Sequence, residues 1–250
     1  MMELVLEIKK IPKTGLEAET IKPENFVNKS IKEIEKIEVC SGNGKITLGS
    51  IFKISGKTAK NPSEQKIVIV GDASKIKRIG EAMSGGEILL KGDVGPRLGE
   101  FMVSGKIIVE GNADNWIGTS MNGGEIIVKG NAGDYMGSSI RGTNRGMRGG
   151  KILVDGNAGG EIGYGMVGGE ITINGTADSF VGSYMRGGKI VVGNVLMNRI
   201  GFSMNGGEIS IIDKTFNVPF YFRKIGEEGG FMQYSGDQSF DGKGLLKVQK

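Results

Sequence analysis

The sequence GGEIIVKGNAGDYMG, residues Gly123 to Gly137, decides the fold because close variants of it recur along the chain. The second glycine of each recurring doublet falls at positions 86, 105, 124, 150, 169, 188 and 207. These positions follow one constant spacing, except that one interval has seven extra residues between Gly137 and Met147. A fixed period of about 19 residues is typical of a repeat architecture in which each repeat is one structural unit.

Each repeat contains one segment in which polar and apolar residues alternate. In the quoted copy, Glu125 and Lys129 lie on one face of a predicted strand, and Ile126 and Val128 lie on the other. A repeat of this length with one strand is too short for a strand–helix–strand unit, but it suits one coil of a β-helix. The predicted fold class is therefore all-β, a parallel β-helix with a single strand and about 19 residues in each coil, a short N-terminal helix and irregular caps.

The charges of the predicted strands alternate in sign from one repeat to the next. The first outward positions are, in order, Glu87, Lys106, Glu125, Lys151, Glu170, Lys189 and Glu208. Stacked coils bring equivalent positions about 4.8 Å apart, so each neighbouring pair has opposite charges and contributes roughly 0.2–1 kcal/mol. A shift by one coil would bring like charges together, so this charge ladder also specifies the register.

The inward positions of the predicted strands are apolar in every repeat. They form the columns Ile88, Ile107, Ile126, Ile152, Ile171, Ile190, Ile209 and Leu90, Val109, Val128, Val154, Ile173, Val192, Ile211. A methionine column recurs at positions 83, 102, 121, 147, 166, 185 and 204. Because methionine fills irregular gaps, we interpret this column as core packing and not as a ligand site.

The ends of the chain depart from the repeat, which predicts three parts. Residues 1–65 form an N-terminal cap with irregular opening coils and a short helix that begins after Ser30, with Glu33 completing a capping box. Residues 66–213 form the repeat domain, and residues 214–250 form a C-terminal cap. Such caps cover the unpaired strands at the ends of a stack.

The composition excludes several kinds of catalytic site. The chain has no histidine and one cysteine, Cys40. It therefore lacks the base of a Ser-His-Asp or Cys-His arrangement, and one thiol cannot form an internal disulfide, an iron–sulfur site or a structural zinc site. No GxxxxGK[ST] motif is present, and we interpret the recurring glycines as tight corners.

The charge balance favours neither nucleic acid nor a membrane as a partner. The 32 basic and 28 acidic residues are interspersed and give a net charge of +4, and aromatic residues make up only 6% of the chain. No apolar run approaches the length that a membrane helix needs, and the N-terminus has charges where a signal peptide would be apolar. We expect a cytoplasmic protein.

The middle position of the predicted strands should face outward, yet it is apolar in four successive repeats. These residues are Leu89, Ile108, Ile127 and Leu153, here called the apolar stripe. An exposed stripe of this size is typical of a partner interface. The alternative is that the N-terminal segment of the chain covers the stripe.

The seven-residue insertion lies in the segment GSSIRGTNRGMRGGK, which contains Arg141, Arg145 and Arg148. No acidic residue occurs between Asp134 and Asp155. A long turn with three arginines on a rigid scaffold suits an acidic partner surface or a ligand with a carboxylate. The alternative is a solvated loop.

The run GGEIIVKGNAGDYMGSSIRGTNRGMRGGKILVDGNAGGEIG is similar to the C subunit of formylmethanofuran dehydrogenase, the tungsten or molybdenum complex of methanogenic archaea. More distantly, it resembles the C-terminal GxGxG domain of glutamate synthase. The resemblance covers the repeats from about Gly71 to Asp213, including the insertion. The segments LEAETIKPENF and YSGDQSFDGKGLLKV near the two ends also look like that C subunit.

The resemblance implies a right-handed β-helix within a complex that reduces carbon dioxide and attaches it to methanofuran as a formyl group. In that family the tungsto- or molybdopterin, the iron–sulfur clusters and the zinc belong to other subunits. We therefore expect no catalytic, cofactor-binding or metal-binding residue on this chain. Its expected role is to hold the catalytic subunits in a fixed relation.

Two other hypotheses stay open at this point. A stand-alone GxGxG binding module, related to glutamate synthase or to the C subunit of a formyltransferase/hydrolase complex, would have different partners and no tungsten or molybdenum. An independent β-helix enzyme would turn over substrate by itself, and the lack of an acid, base or nucleophile cluster counts against it.

Overall fold

The computed structural model describes every residue of the chain except 141, 144, 198 and 241. Within these residues the protein is mostly β, with one 13-stranded sheet, a second sheet of four short strands and three short helices. The large sheet is parallel through its middle and antiparallel at both ends. No helix in the described part of the chain is long and apolar enough to cross a lipid bilayer.

The N-terminal part of the chain, up to Glu64, forms short strands and helices. In order they are β1 (Met2–Ile8), β2 (Leu16–Glu17), α1 (Pro23–Phe26), α2 (Ile31–Glu35), β3 (Glu38–Ser41), β4 (Gly44–Thr47), α3 (Leu48–Ile51), β5 (Phe52–Gly56) and a 3₁₀ turn at Pro62–Glu64. The N-cap predicted for α2 is confirmed, because the Ser30 hydroxyl accepts a hydrogen bond from the Glu33 N–H at 3.3 Å. The Glu33 carboxylate in turn accepts one from the Ser30 N–H at 2.7 Å. Two backbone N–H groups at the start of α2 therefore have side-chain acceptors.

The repeats supply the parallel middle of the large sheet. Their strands are β6 (Gln65–Val70), β7 (Ile76–Lys77), β8 (Ser84–Lys91), β9 (Ser104–Val109), β10 (Glu125–Val128), β11 (Lys151–Val154), β12 (Glu170–Ala177), β13 (Arg186–Val195) and β14 (Gly206–Ile211); β7 belongs to the smaller sheet. Glu125 lies opposite Lys106 on one side and Lys151 on the other. The predicted register is therefore confirmed.

The charge ladder is longer than the repeats indicated. Lys66 lies opposite Glu87, and Glu3 of β1 lies opposite Lys66, so the alternation of sign continues over two further strands. The ion pairs are Lys66–Glu87 at 2.9 Å, Lys106–Glu125 at 2.8 Å, Lys151–Glu170 at 3.9 Å and Lys189–Glu208 at 3.8 Å. Each of these lysines reaches the glutamate of the following strand, and Glu208 also pairs with Lys247 at 2.9 Å, so within the described residues the ladder is a series of pairs that ends in a three-residue cluster.

The predicted inward columns are the core. The two strand columns are at most 1% exposed and the seven methionines are 0% exposed, which confirms their interpretation as packing. A second wall forms where Ala113 pairs with Val94 and Ala132, and Ala132 pairs with Ala158, in parallel bridges. Neighbouring repeats therefore pair through their backbones at two separate places.

Asparagine side chains at the ends of the strands add a third contact between repeats. The side-chain oxygens of Asp93, Asn112 and Asn131 each accept a hydrogen bond from the backbone N–H of the equivalent residue in the next repeat, at 2.7–2.9 Å. These three bonds join a side chain to a backbone, and Asn112 Nδ2 also donates to Asp93 Oδ1 at 3.1 Å. Each bond satisfies an N–H group at a corner where the chain leaves the strand.

Strands from outside the repeats lie at both ends of the large sheet. The strand β5 runs antiparallel to β1 at the sheet edge, whereas β6 is a regular parallel strand between β1 and β8. The C-terminal strands are β15 (Arg223–Glu228), β16 (Phe231–Gly236) and β17 (Gly244–Gln249), with a 3₁₀ turn at Gln238–Phe240. The last strand, β17, pairs in parallel with β14 and so extends the stack of repeats.

Candidate functional site

One corner of the repeats has non-glycine residues with positive φ. They are Arg78 (63°), Arg97 (65°), Trp116 (69°), Tyr135 (64°), Glu161 (58°) and Phe180 (55°), here called the corner row. A left-handed backbone costs a residue with a Cβ about 1–2 kcal/mol, and glycine avoids this cost. Large side chains at a position where glycine would be more stable point to a role other than stability.

Two members of the corner row stack on each other. The ring centroids of Trp116 and Tyr135 are 4.1 Å apart, and the ring planes differ by 8°. Both rings line a cavity of about 380 Å³, here called the aromatic groove. The remaining lining residues are Ser138, Ser139, Ile140, Gly142, Thr143, Glu161 and Tyr164. The insertion between Gly137 and Met147 therefore forms part of the wall of this groove.

The aromatic groove has a perturbed carboxyl and a buried hydroxyl. Burial raises the pKa of the Glu161 carboxyl, and the nearby charge of Asp134 raises it further. Ser138 is 1% exposed, and among the residues that the structure describes its Oγ has no hydrogen-bond partner. Burial also raises the pKa of the Tyr164 hydroxyl. Perturbed titratable groups in a cleft are typical of functional sites.

Two further clefts continue along the same face of the molecule. One, of about 510 Å³, shares Trp116 with the aromatic groove and is also lined by Arg78 and Arg97. The other, of about 330 Å³, shares Tyr164 and is also lined by Tyr184. All members of the corner row except Phe180 thus line either the aromatic groove or the cleft that shares Trp116 with it.

The two arginines of the corner row are held by carboxylates of their own repeats. Arg78 Nη2 donates to Glu81 Oε1 at 2.8 Å, and Arg97 Nη1 lies 3.4 Å from Glu100 Oε2. Glu100 is only 3% exposed, and burial raises the pKa of its carboxyl against the lowering effect of Arg97. These ion pairs hold the side chains of Arg78 and Arg97 in place beside the cleft that they line.

The apolar stripe lies where the sequence predicted it. Leu89, Ile108, Ile127 and Leu153 are opposite one another on β8, β9, β10 and β11, and all four are half-buried. Val5 of β1 lies opposite Val68, and Val68 lies opposite Leu89. The first strand of the chain therefore continues the stripe towards the edge strand β5 and does not lie over it.

The arginines of the insertion have different positions. Arg145 and Arg148 are exposed, and Arg148 Nη1 donates to Asn122 Oδ1 at 3.1 Å. The Arg145 carbonyl accepts a hydrogen bond from Ser120 Oγ at 3.3 Å. Arg141 lies outside the described residues. In the described ranges, no group of three or more His, Cys, Asp or Glu side chains could hold a metal ion.

The corner row and the aromatic groove are not among the sites predicted from sequence. A signal was present, because Trp116 and Tyr135 occupy equivalent positions in successive repeats of a chain with only 6% aromatic residues. The preceding members, Arg78 and Arg97, follow the same spacing. Large side chains that recur at one position of successive repeats indicate a single surface to which each of these repeats contributes one side chain.

Comparison with known proteins identifies relatives of this chain. Over 94 residues, 38% of this chain and 35% of the relative, it is 45% identical to the C subunit of the tungsten-containing formylmethanofuran dehydrogenase 2 of Methanothermobacter wolfeii. Over 95 residues, 38% of this chain and 32% of the relative, it is 41% identical to the C subunit of the molybdenum-containing formylmethanofuran dehydrogenase 1 of Methanosarcina barkeri. The match therefore spans about a third of the length of these curated relatives.

A solved structure matches over nearly the whole chain. It is a chain of the formyltransferase/hydrolase complex (FhcABCD) of Methylorubrum extorquens in complex with methylofuran, with a TM-score of 0.89 and 28% identity. The match covers 98% of this chain and 99% of that chain. The GXGXG motif family matches residues 81–224, which include most of the corner row and the aromatic groove. Because this match covers more than half of the 250 residues, the chain belongs to the GXGXG motif family.

Proposed function

We propose that this chain is a non-catalytic scaffold, the C subunit of a formylmethanofuran dehydrogenase complex that reduces carbon dioxide and attaches it to methanofuran. The observation that supports this most directly is the 45% identity to the C subunit of such a complex over 94 residues. Tungsto- or molybdopterin, iron–sulfur clusters and zinc would belong to the catalytic subunits that this chain contacts. The complex would work in the cytoplasm of an archaeon.

The scaffold role depends on a rigid shape. We take the fold to be a right-handed β-helix of residues 66–213 between caps formed by residues 1–65 and 214–250. Support comes from the parallel pairing of neighbouring repeats both at the strands and at the alanine bridges. A stack in which each coil pairs its backbone with the next has little freedom to bend, and it would keep partners at a fixed distance.

The partner surfaces in this proposal are the apolar stripe and the insertion. Leu89, Ile108, Ile127 and Leu153 form a continuous half-buried row between columns of charged residues. A partner with a complementary apolar ridge would bury this row, and the alternating charges would set its register. Arg145 and Arg148, with Arg141, would contact an acidic region of a partner.

A second candidate is the C subunit of a formyltransferase/hydrolase complex. The structural match to a chain of such a complex covers 98% of this chain, whereas the dehydrogenase relatives match 38% of it. The two candidates share the scaffold role and differ in their partners. Only the first one predicts tungsten or molybdenum in the assembled complex.

Purification of the chain from its native source under mild conditions tests these proposals. Co-purification with larger subunits and stoichiometric tungsten or molybdenum supports the dehydrogenase, and co-purification with a formyltransferase and no such metal supports the second candidate. Turnover by the isolated chain, or its purification without any partner, would contradict the scaffold role.

Single substitutions then test the apolar stripe. Ile127→Glu and Leu153→Glu place a charge in the proposed interface and should abolish co-purification. Val167→Glu is the matched control, because Val167 is 41% exposed and is not part of the stripe. Circular dichroism checks that all three variants fold. Equal co-purification of all three would show that the stripe is not an interface.

A further inference from the structure

The aromatic groove has a place for a flat group. The rings of Trp116 and Tyr135 are stacked and nearly parallel, and Tyr164 lines the same cavity. In the next repeat the corner row has Glu161 and no ring, so the stack ends at Tyr135. A planar group beside Glu161 would continue the stack for one more step.

The charges of the groove favour a cation in that place. Asp134 lies close enough to Glu161 to disfavour its ionised form, and burial disfavours it more strongly. A positive charge beside Glu161 would offset both effects. Aromatic ring faces also attract cations, most strongly where water is excluded.

The corner row already contains this kind of contact. Phe180 follows Glu161 in the corner row, and the guanidinium carbon of Arg199, one repeat further on, lies 5.2 Å from the centroid of the Phe180 ring. A guanidinium is planar and has several N–H donors in its plane, so it can stack on a ring and bind a carboxylate at the same time. An ammonium group has no plane to stack.

We propose that the aromatic groove binds a guanidinium group, and that this group is the arginine side chain of an exposed segment of a partner protein. The guanidinium would stack on the Tyr135 ring and pair with the Glu161 carboxylate. The identity of the partner rests on the proposed scaffold function. The guanidinium site rests only on the groove, so the two can be tested separately.

Trp116 is the single tryptophan of the chain and lines the groove, so its fluorescence reports binding. The purified chain is titrated with N-acetylarginine amide, and a saturable change in emission is expected with a dissociation constant of roughly 1–10 mM. N-acetylcitrulline amide has nearly the same shape without the charge. It is expected to bind at least about tenfold more weakly, since it cannot form the ion pair.

Substitutions identify the carboxylate. Glu161→Gln keeps the size of the side chain and should weaken binding of N-acetylarginine amide about tenfold. Glu38→Gln removes the same charge from the chain, but Glu38 lies on β3 of the smaller sheet, where it pairs with Lys45 at 3.2 Å. This control should leave the dissociation constant within about twofold of the original value, because exposed charges outside the groove are screened.

Three results would overturn the guanidinium site: equal binding of the citrulline derivative, unchanged binding by the Glu161→Gln variant, or no change in emission up to about 50 mM probe. In the purified complex, Glu161→Gln should make retention of the chain more sensitive to salt, whereas Glu38→Gln should not. If the probe binds but retention is unchanged, the arginine does not come from a partner. If the probe fails while the chain still co-purifies, the scaffold function stands and the site does not.

Discussion

Gly99 allows a direct test of how tightly neighbouring repeats pack. Its φ is +63°, and a Cβ built on it would lie 2.6 Å from Cδ1 of Ile126 on β10. The left-handed backbone costs an alanine about 1–2 kcal/mol, and overpacking a dense core costs about 1–3 kcal/mol. We therefore expect Gly99→Ala to lower the free energy of unfolding by about 2–5 kcal/mol.

The second substitution removes the atom that causes the clash. Ile126→Val deletes Cδ1 and by itself should cost about 0.5–1.5 kcal/mol. The next contact of the built Cβ on this side chain is Cγ1 at 3.5 Å, an ordinary van der Waals distance. The double variant should therefore be more stable than the sum of the single effects by about 1–3 kcal/mol, while the backbone strain remains.

Urea unfolding of the four proteins, followed by far-UV circular dichroism, measures this coupling. Gly226→Ala is the matched control, since a Cβ there meets nothing within 4 Å, and its effect should stay below about 0.5 kcal/mol. Additive single effects, or a Gly99→Ala cost no larger than that of the control, would refute the close packing of these two repeats.

Three further predictions concern the surface. Lys106→Gln should lower the free energy of unfolding by about 0.2–1 kcal/mol, because Lys106 lies 2.8 Å from Glu125. Tyr135→Gly loses a stacked pair worth about 0.5–1.5 kcal/mol but relieves a φ of 64°, so thermal unfolding should change little. Burial raises the pKa of the Glu208 carboxyl, but Lys247 at 2.9 Å, the Ser210 hydroxyl and Lys189 together lower it more, so the pKa lies below its ordinary value. The resulting stability is present above the ordinary pKa of 4.5 and is lost as the pH falls below it, so Glu208→Gln should flatten this acid loss in urea unfolding.

Each of these predictions has a result that contradicts it. For Lys106 it is a loss that persists unchanged at about 1 M salt, since an exposed ion pair is screened there. For Tyr135 it is a large fall in the midpoint of thermal unfolding, which would give the side chain a structural role. For Glu208 it is an acid loss of stability with the same slope in the original protein and the variant.

Local patterns were sufficient for the strands of the repeats. The alternation along Glu125, Ile126, Ile127 and Val128 predicted one inward and one outward face, and the period predicted which residues would be neighbours. The α2 capping box could also be predicted from the sequence, because it involves only Ser30 and Glu33, which are close together in the chain. In each case the interaction that defines the structure is either local or joins equivalent positions of neighbouring repeats.

The ends of the sheet and the aromatic groove could not be predicted from local sequence patterns. Placing β1 and β17 as additional strands requires pairing between segments that do not share the repeat, and Glu3 and Lys66, which lie opposite each other, are far apart in the chain. The groove requires the path of the insertion, which brings Ser138 and Ile140 next to Trp116 of an earlier repeat and Glu161 of a later one.

The sequence by itself determined the period, the strand faces, the core columns and the sign of the charge on each successive strand, because these follow from side-chain alternation repeated at a constant spacing. Only the tertiary structure decided that each lysine pairs with the following glutamate, that β1 continues the apolar stripe, and that rings, a carboxyl and a buried hydroxyl meet in one groove. These features depend on how the chain turns at the corners and where side chains from different repeats come within a few ångströms of each other.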